Sequence, residues 1–367
     1  MKTASVHDPL PIDQDPVGKL LADELDARDW SQADFAVILG RPTQFVSEII
    51  NGKKEITRES AAQIAAALGT SAELWLNLQD QFLLATQAKD PGTQTRLSEV
   101  RTRALISKHA PVELLRKRRI LTATNLDDLA KQVMELYELA SLEDEPAFMV
   151  AARRANRHEN LSLLQTTWFA CVRRQARRQP PTEPYSDKKL RALARSLSQT
   201  LHTSEDFEEL PDRFREAGVR LVFVDAFPSA KIDGGAMYVG GYPVIGLSGR
   251  GKRLDKVLFT LLHETGHILK GHVDEHHYIV EEIVDSQVGH GVQESEADDV
   301  AGELLFLSPF PQVPGRIGGP WVDQVANQLG VARIVVIGHL QHMGRLDWRT
   351  TLAKNAPVVG DALETWK

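Results

Sequence analysis

Residues 257–269 read Val-Leu-Phe-Thr-Leu-Leu-His-Glu-Thr-Gly-His-Ile-Leu, and this stretch decides how the C-terminal half of the chain folds. Its apolar residues recur with helical spacing, which predicts an α-helix over about residues 252–270. His263 and His267 are four residues apart, so their side chains share one face of that helix. Glu264 lies beside the same face. The stretch therefore gathers three chemically active side chains on adjacent turns of one helix.

Two histidines at this spacing are typical of a zinc site, in which each imidazole supplies one ligand nitrogen. Glu264 is then placed to take a proton from zinc-bound water, as a general base does. The sequence therefore predicts a Zn²⁺ cofactor with His263 and His267 as metal ligands and Glu264 as the catalytic residue. The alternative is a chance occurrence of the motif in a buried helix.

A catalytic zinc ion needs a third protein ligand and one open coordination position. The predicted third ligand is Glu294, at the start of a further helix over about residues 293–307. Glu296 and His272 are the alternative third ligands. Asp298 lies one turn after Glu294, and we expect its carboxylate to accept a hydrogen bond from the free ring nitrogen of a ligand histidine.

A β-hairpin is predicted before these two helices. Residues 236–239 and 244–247 are strand candidates, and they flank Gly240-Gly241, which is typical of a two-residue turn. Pro243 has no amide hydrogen, which predicts that the second strand lies at an edge of the sheet.

A substrate peptide is then expected to lie extended along the hairpin of residues 236–247 and to add a strand to its open edge. We expect four glycines to leave room for the backbone of that peptide. They are Gly234, Gly235, Gly240 and Gly241.

Several stretches within residues 201–309 resemble the ImmA/IrrE family of metallopeptidases. They are residues 231–235 (KIDGG), 259–269 (FTLLHETGHIL), 294–297 (ESEA) and 301–305 (AGELL). The resemblance implies a zincin-like domain in which His263, His267 and Glu294 are the zinc ligands and Glu264 is the catalytic base. The chain departs from the family where Phe306-Leu307-Ser308-Pro309 stands in place of the common Met-Pro.

The N-terminal part of the chain is predicted to form a helix-turn-helix. Ser31 to Asp34 opens one short helix, Gly40 gives a tight turn, and residues 42–51 form the next helix. The residues expected to face the core are Leu39, Phe45, Val46, Ile49 and Ile50. Those expected to contact DNA are Thr43, Gln44 and Ser47, which read base edges, and Lys53 and Lys54, which meet phosphates.

Charge opposes DNA binding by this region, because residues 17–86 hold six Lys/Arg against ten Asp/Glu, a net charge of −4. A helical interaction module that does not bind DNA is therefore the alternative. Most of the region resembles the Xre-type domain of HigA-like antitoxins, as in residues 46–53 (VSEIINGK) and 75–79 (WLNLQ). That resemblance implies operator binding, usually as a homodimer, and pairing with a toxin.

The amino-acid composition excludes several other classes of protein and of metal site. Of the 367 residues, 42% are hydrophobic and 25% are charged, which is typical of globular proteins. The single cysteine, Cys171, excludes a disulfide framework and an all-cysteine metal site. The sequence has no apolar run long enough for a membrane span and no signal peptide, so we expect a cytoplasmic protein with no membrane partner.

The predicted fold is α+β and mostly helical, with a small β-sheet beside the helix that carries the two histidines. The predicted segments are a flexible tail (1–16), the helix-turn-helix domain (17–88), a helical connecting segment (89–200), the metallopeptidase-like domain (201–310) and a C-terminal helical extension (311–367). Residues 89–95 (KDPGTQT) are predicted to be a linker.

Two functions fit this organisation. In the first, the chain is a DNA-binding transcriptional regulator whose zinc metallopeptidase domain cleaves a regulatory protein. In the second, it is an antitoxin-like autorepressor of a toxin–antitoxin system, and its metallopeptidase-like domain only binds a partner or senses a ligand. Replacement of Glu264 by Gln discriminates between them.

Overall fold

A computed structural model describes residues 16–147, 161–180, 182–274, 279–282 and 292–367 of the chain, with the backbone alone at 279–282. The tail predicted over residues 1–16 lies outside these ranges except for Pro16. The chain divides into two compact units, residues 1–101 (unit 1) and 102–367 (unit 2), and we describe each by itself.

Unit 1 is a set of short helices that begin and end where local side chains satisfy the backbone. The Ser31 side chain accepts a hydrogen bond from the Asp34 amide at 3.1 Å, and Gly40 ends the same helix in a left-handed conformation with φ 63°. The helices are α1 (Val17–Asp26), α2 (Gln32–Leu39), α3 (Thr43–Ile50), α4 (Arg58–Leu68), α5 (Ala72–Lys89) and the first part of α6 (Pro91–His109).

The core of unit 1 contains the residues that the sequence assigned to it. Leu39, Val46 and Ile49 are buried, and Phe45 and Ile50 pack against the same cluster while remaining half-buried. Burial of one face of α3 leaves its opposite face to solvent, as a helix-turn-helix requires.

The predicted linker over residues 89–95 is wrong, because the segment is helical almost throughout. Helix α5 ends at Lys89 and α6 begins at Pro91. The Asp90 carboxylate accepts a hydrogen bond from the Thr93 amide at 2.7 Å, which satisfies one of the free donors of the first turn. Proline is well tolerated at the first position of a helix, so the sequence Asp-Pro-Gly starts a helix here rather than ending one.

In its described residues, unit 2 combines helices with a four-stranded sheet. The helices are α7 (Val112–Lys117), α8 (Leu126–Tyr137), α9 (Leu163–Arg178), α10 (Asp187–Thr200), α11 (Leu210–Glu216), α12 (Leu254–Leu269), α13 (Val292–Leu305), α14 (Gly319–Leu329), α15 (Arg333–His342) and α16 (Gly360–Glu364). The strands are β1 (Arg220–Phe223), β2 (Ile232–Val239), β3 (Tyr242–Leu247) and β4 (Ile279–Glu282), in the sheet order β1-β3-β2-β4. The prediction of a mostly helical α+β fold with a small sheet is confirmed.

The hairpin forms as predicted, but its position in the sheet differs. Strands β2 and β3 are antiparallel and joined by Gly240 and Gly241, whose φ values of 57° and 79° suit a type I′ turn. Strand β3 is an inner strand, so the edge position inferred from Pro243 is wrong. Pairing with the parallel strand β1 begins only at Val244, opposite Arg220, so the missing amide of Pro243 interrupts no ladder hydrogen bond.

The prediction that a substrate adds a strand to an open edge of the hairpin is also wrong for much of the hairpin, because other strands of the sheet already pair there. Strand β1 pairs along β3 from Val244 to Leu247. Strand β4 covers the other side, because Gly235 and Ala236 of β2 pair with Val280 and Ile279.

The sheet is buried between two layers of helices. Leu221 and Ile245 belong to the core that includes α12, whereas the neighbouring Val222 and Val244 belong to the core that includes α9. This alternation follows from the two-residue period of a strand. Helix α12, which carries the two histidines, is thereby fixed against one face of the sheet. No helix in the described ranges is both long enough and apolar enough to cross a membrane.

Candidate metal centre and nucleic-acid interface

Helices α12 and α13 pack together and bring the predicted zinc ligands to one place. His263 and His267 are 2% and 0% exposed on α12, and Glu294 lies on the first turn of α13 with its carboxylate partly exposed. The approach is close because Gly266 has no side chain, since a Cβ there would lie 2.9 Å from the Ala297 carbonyl oxygen. Gly266 therefore sets the spacing between the two helices.

The ligand atoms of His263, His267 and Glu294 all lie within 4.8 Å of one another. The two Nε2 atoms are 2.9 Å apart, and the Glu294 Oε2 atom is 3.2 Å from Nε2 of His263 and 3.6 Å from Nε2 of His267. With zinc–ligand bonds of about 2.0–2.1 Å, the donors of a tetrahedral site lie roughly 3.3 Å apart. The three separations bracket that value, so the residues fit a zinc ion.

The ionisation states of these groups suit metal binding. Burial raises the pKa of the Glu294 carboxyl, but hydrogen bonds from His263 and His267 outweigh it and hold that pKa at about 2. Burial lowers the pKa of His267, with smaller lowering effects from His263 and His272, and the net shift is downward although Glu294 raises that pKa. A carboxylate and a neutral imidazole are the forms in which these side chains bind a metal.

Asp298 lies where the sequence placed it, one turn after Glu294 on α13. Its Oδ1 atom is 2.9 Å from Nδ1 of His263. When Nδ1 donates its hydrogen to Asp298, the lone pair of His263 is left on Nε2, which is the atom nearest Glu294.

The two alternative third ligands face elsewhere. Glu296 is 2.9 Å from Nε2 of His272, and Nδ1 of His272 is 3.1 Å from Nδ1 of His267. Both groups therefore lie on the Nδ1 side of the His267 ring, away from the Nε2 atoms that converge with Glu294. The structure brings Glu294, rather than Glu296 or His272, into the cluster.

Glu264, the predicted base, is fully buried on α12. Gly234 of β2 lies directly against it, since a Cβ at that position would lie 3.0 Å from Glu264 Oε1 and 2.6 Å from the Thr260 methyl carbon. The ring of Phe169 fills the corresponding space at Gly235. The expectation that these two glycines leave room for a substrate is therefore wrong, because side chains of the protein occupy that room.

Ring contacts beside the cluster of His263, His267 and Glu294 were not predicted from the sequence. The ring of Phe259 lies 6.4 Å from that of His263 and 5.6 Å from that of His342. Nearly 80 residues separate His263 from His342 in the chain, and no local pattern connects them. The contact between Phe259 and His342 forms only because α15 packs on α12.

In unit 1, the predicted base-reading residues lie along α3. Thr43 and Gln44 are exposed and Ser47 is half-buried. The Gln44 amide donates to Glu48 Oε1 at 2.8 Å, and the Asn51 amide donates to Ser47 Oγ at 3.1 Å. The helix therefore presents a row of polar groups, already ordered by hydrogen bonds along its own surface.

The predicted phosphate contacts follow directly after α3. Lys53 and Lys54 are exposed, and Lys54 Nζ lies 3.6 Å from Glu48 Oε2 and 5.2 Å from the centre of the Phe45 ring. Arg41 forms an ion pair with Glu59. Local acidic groups thus offset part of the positive charge at this surface.

Comparison with known proteins identifies unit 1. The helix-turn-helix family model matches residues 21–75. An uncharacterised HTH-type transcriptional regulator, YddM of Escherichia coli (strain K12), is 31% identical over 72 residues, which are 20% of this chain and 77% of that protein. An addiction module antidote protein of the HigA family from Coxiella burnetii is 36% identical, with a TM-score of 0.22 over 23% of this chain and 91% of that one.

The Pseudomonas aeruginosa antitoxin HigA, solved with the higBA promoter, is 31% identical, with a TM-score of 0.22 over 23% of this chain and 91% of that chain. These similarities concern about a quarter of the chain at its N-terminal end. Through residues 21–75, the chain belongs to the helix-turn-helix family of transcriptional regulators.

Proposed function

We propose that the chain is a DNA-binding transcriptional regulator that carries a zinc metallopeptidase centre in unit 2. The observation that supports the enzyme is the convergence of two buried imidazoles and one carboxylate, with ligand atoms within 4.8 Å of one another. Zinc-dependent hydrolases commonly use two histidines and a glutamate. The proposed substrate is a regulatory protein.

In this proposal His263, His267 and Glu294 hold the ion. When bound, zinc supplies Lewis acidity, which polarises a peptide carbonyl and makes water more acidic. Glu264, adjacent to His263 in the chain, takes the proton of the attacking water and returns it to the leaving amine. Asp298 holds His263 in the tautomer that keeps Nε2 available.

Elemental analysis of the purified chain after zinc loading and gel filtration tests the metal site. We expect about one zinc ion per chain in the wild type and almost none in His263→Ala or Glu294→Ala, because each loses one of three protein ligands. Glu303→Ala is the matched control and should still carry zinc, since Glu303 is an exposed carboxylate on the same helix as Glu294 and lies outside the ligand cluster. Zinc retained in Glu294→Ala, or absent from the wild type, would contradict the assignment.

For unit 1 we propose that a homodimer binds operator DNA with Thr43, Gln44 and Ser47 in the major groove. Lys53 and Lys54 contact phosphates in this proposal. The proposal is supported by the exposure of four of these five side chains and by the family of unit 1.

Lys53→Ala should weaken DNA binding regardless of sequence and reduce the slope of log affinity against log salt by about 1. The measurement is fluorescence anisotropy over a salt series, with a duplex from upstream of the chain's own coding sequence and a scrambled duplex. Lys89→Ala is the matched control, since Lys89 is an exposed lysine at the end of α5 and loses the same charge. Equal losses in the two variants would exclude a specific phosphate contact at Lys53.

A second candidate is an antitoxin-like autorepressor whose unit 2 binds a partner toxin without catalysis. The complete burial of Glu264 favours it, because a general base must reach water and substrate. The two candidates differ in the protein that unit 2 engages and in whether Glu264 works as a base.

A further inference from the structure

His272 is a buried histidine that the proposed site does not yet use. Gly271, with φ 70°, follows α12 in a left-handed conformation, and the His272 amide donates back to the His267 carbonyl oxygen at 3.0 Å. The imidazole of His272 thereby lies against the ring of His267, with centroids 5.3 Å apart. Its other nitrogen lies 2.9 Å from Glu296 Oε2.

The hydrogen bonds among these groups have one consistent direction. Nδ1 of His267 faces Nδ1 of His272 at 3.1 Å, and such a contact needs a hydrogen on one nitrogen and a lone pair on the other. If His267 offers its Nε2 lone pair to a metal, its hydrogen lies on Nδ1 and is donated to His272. His272 then carries its own hydrogen on Nε2 and donates it to Glu296.

We propose that His272 and Glu296 are positioning residues that hold His267 in its metal-binding tautomer. This inference rests on the zinc site proposed above. It gives each ligand histidine an acceptor for its Nδ1 hydrogen. For His263 the acceptor is the Asp298 carboxylate, and for His267 it is His272, which Glu296 holds in turn.

The same helix packing that builds the ligand cluster builds this pair. The close approach at Gly266 places Ala297 against α12, and Glu296 precedes Ala297 on α13. Glu294 and Glu296 differ by two positions, roughly 200° around a helix, so they diverge from α13 toward different groups. Glu294 meets the Nε2 atoms, and Glu296 meets the Nδ1 side through His272.

Metal affinity tests the inference without reference to catalysis. Zinc dissociation constants are measured by competition with a chromophoric chelator for the full chain and its variants. Loss of an outer partner of a ligand histidine typically weakens metal binding by about 10–100-fold, and we expect that range for His272→Ala and for Glu296→Gln. Asp299→Asn is the matched control, because it removes an exposed carboxylate from the same helix and should leave the affinity unchanged.

A conservative variant separates positioning from general packing. His272→Asn keeps an acceptor oxygen near the position of Nδ1, so it should recover most of the affinity that His272→Ala loses. In the His272→Asn background, Glu296→Gln should have little further effect, since the imidazole that Glu296 orients is gone. The visible spectrum of the cobalt-substituted chain should change in His272→Ala and return toward wild type in His272→Asn.

The outcomes are distinct. If the wild-type chain binds zinc and His272→Ala binds it with the same affinity, His272 has no positioning role, but the zinc site is still supported. Equal losses in His272→Ala and His272→Asn would also overturn it, since packing alone would then explain the effect. A wild-type chain that binds no zinc would overturn both the proposed metal site and this inference.

Discussion

The Glu264→Gln variant is expected to keep its zinc ion and to lose peptide hydrolysis by about 10²–10⁴-fold, the usual contribution of a general base. Glutamine has nearly the shape of glutamate, so the buried space beside Gly234 stays filled, but its amide cannot take a proton. The measurement is cleavage of a proteome-derived peptide library by the zinc-loaded chain, with new termini identified by mass spectrometry.

Glu303→Gln is the matched control, since Glu303 is an exposed carboxylate on α13 and should leave cleavage unchanged. If neither the wild type nor Glu264→Gln cleaves any peptide, and Glu264→Gln still supports repression and partner binding, the antitoxin-like function is the correct one. Equal cleavage by the wild type and Glu264→Gln would remove Glu264 from the mechanism.

The second large effect concerns one glycine at the crossing of α12 and α13. Gly266→Ala and Gly302→Ala both replace a helical glycine by alanine. By helix propensity alone, each change stabilises the folded state by about 1 kcal/mol. At Gly302 a Cβ meets nothing within 4 Å, so that gain should be realised. At Gly266 it meets the Ala297 carbonyl oxygen at 2.9 Å, and such overpacking costs about 1–3 kcal/mol.

We therefore expect the free energy of unfolding of Gly266→Ala to lie about 1–3 kcal/mol below that of Gly302→Ala. Urea denaturation of the two variants beside the wild type measures it. Equal stability of the two variants would show that α12 and α13 can separate without cost.

Features set by short-range chemistry were predictable from the sequence. The Gly240-Gly241 turn and the helix start at Ser31 depend on residues within a few positions of each other, and the structure contains both. The spacing of His263 and His267 belongs to the same class, since a helix alone puts them on one face.

The wrong predictions concern short sequence patterns that are compatible with two different structures. Asp-Pro-Gly at residues 90–92 suits a linker and a helix start equally well, and the hydrogen bond from the Thr93 amide to Asp90 decides for the helix. Pro243 suits an edge strand, but it is also tolerated in an inner strand where the parallel neighbour begins one residue later. Neither condition can be read from adjacent residues.

The choice between Glu294 and Glu296 was open for the same reason. Both carboxylates start the same helix, and only the rotation of α13 about its axis decides which of them faces the Nε2 atoms. Contact between Gly266 and Ala297 fixes that rotation. The role of His272 depends on the same contact and was equally invisible in the sequence.

The three proposed ligands are unevenly distributed along the chain, and this has a thermodynamic consequence. His263 and His267 are neighbours on α12, whereas Glu294 follows His267 by 27 residues. A bound ion would therefore cross-link the chain and close a loop of about 28 residues. In the chain-entropy account, restricting the unfolded chain by a loop of that length is worth about 3–4 kcal/mol. The ion that makes the site reactive would thus also hold the end of α12 to the start of α13 when other parts of unit 2 unfold.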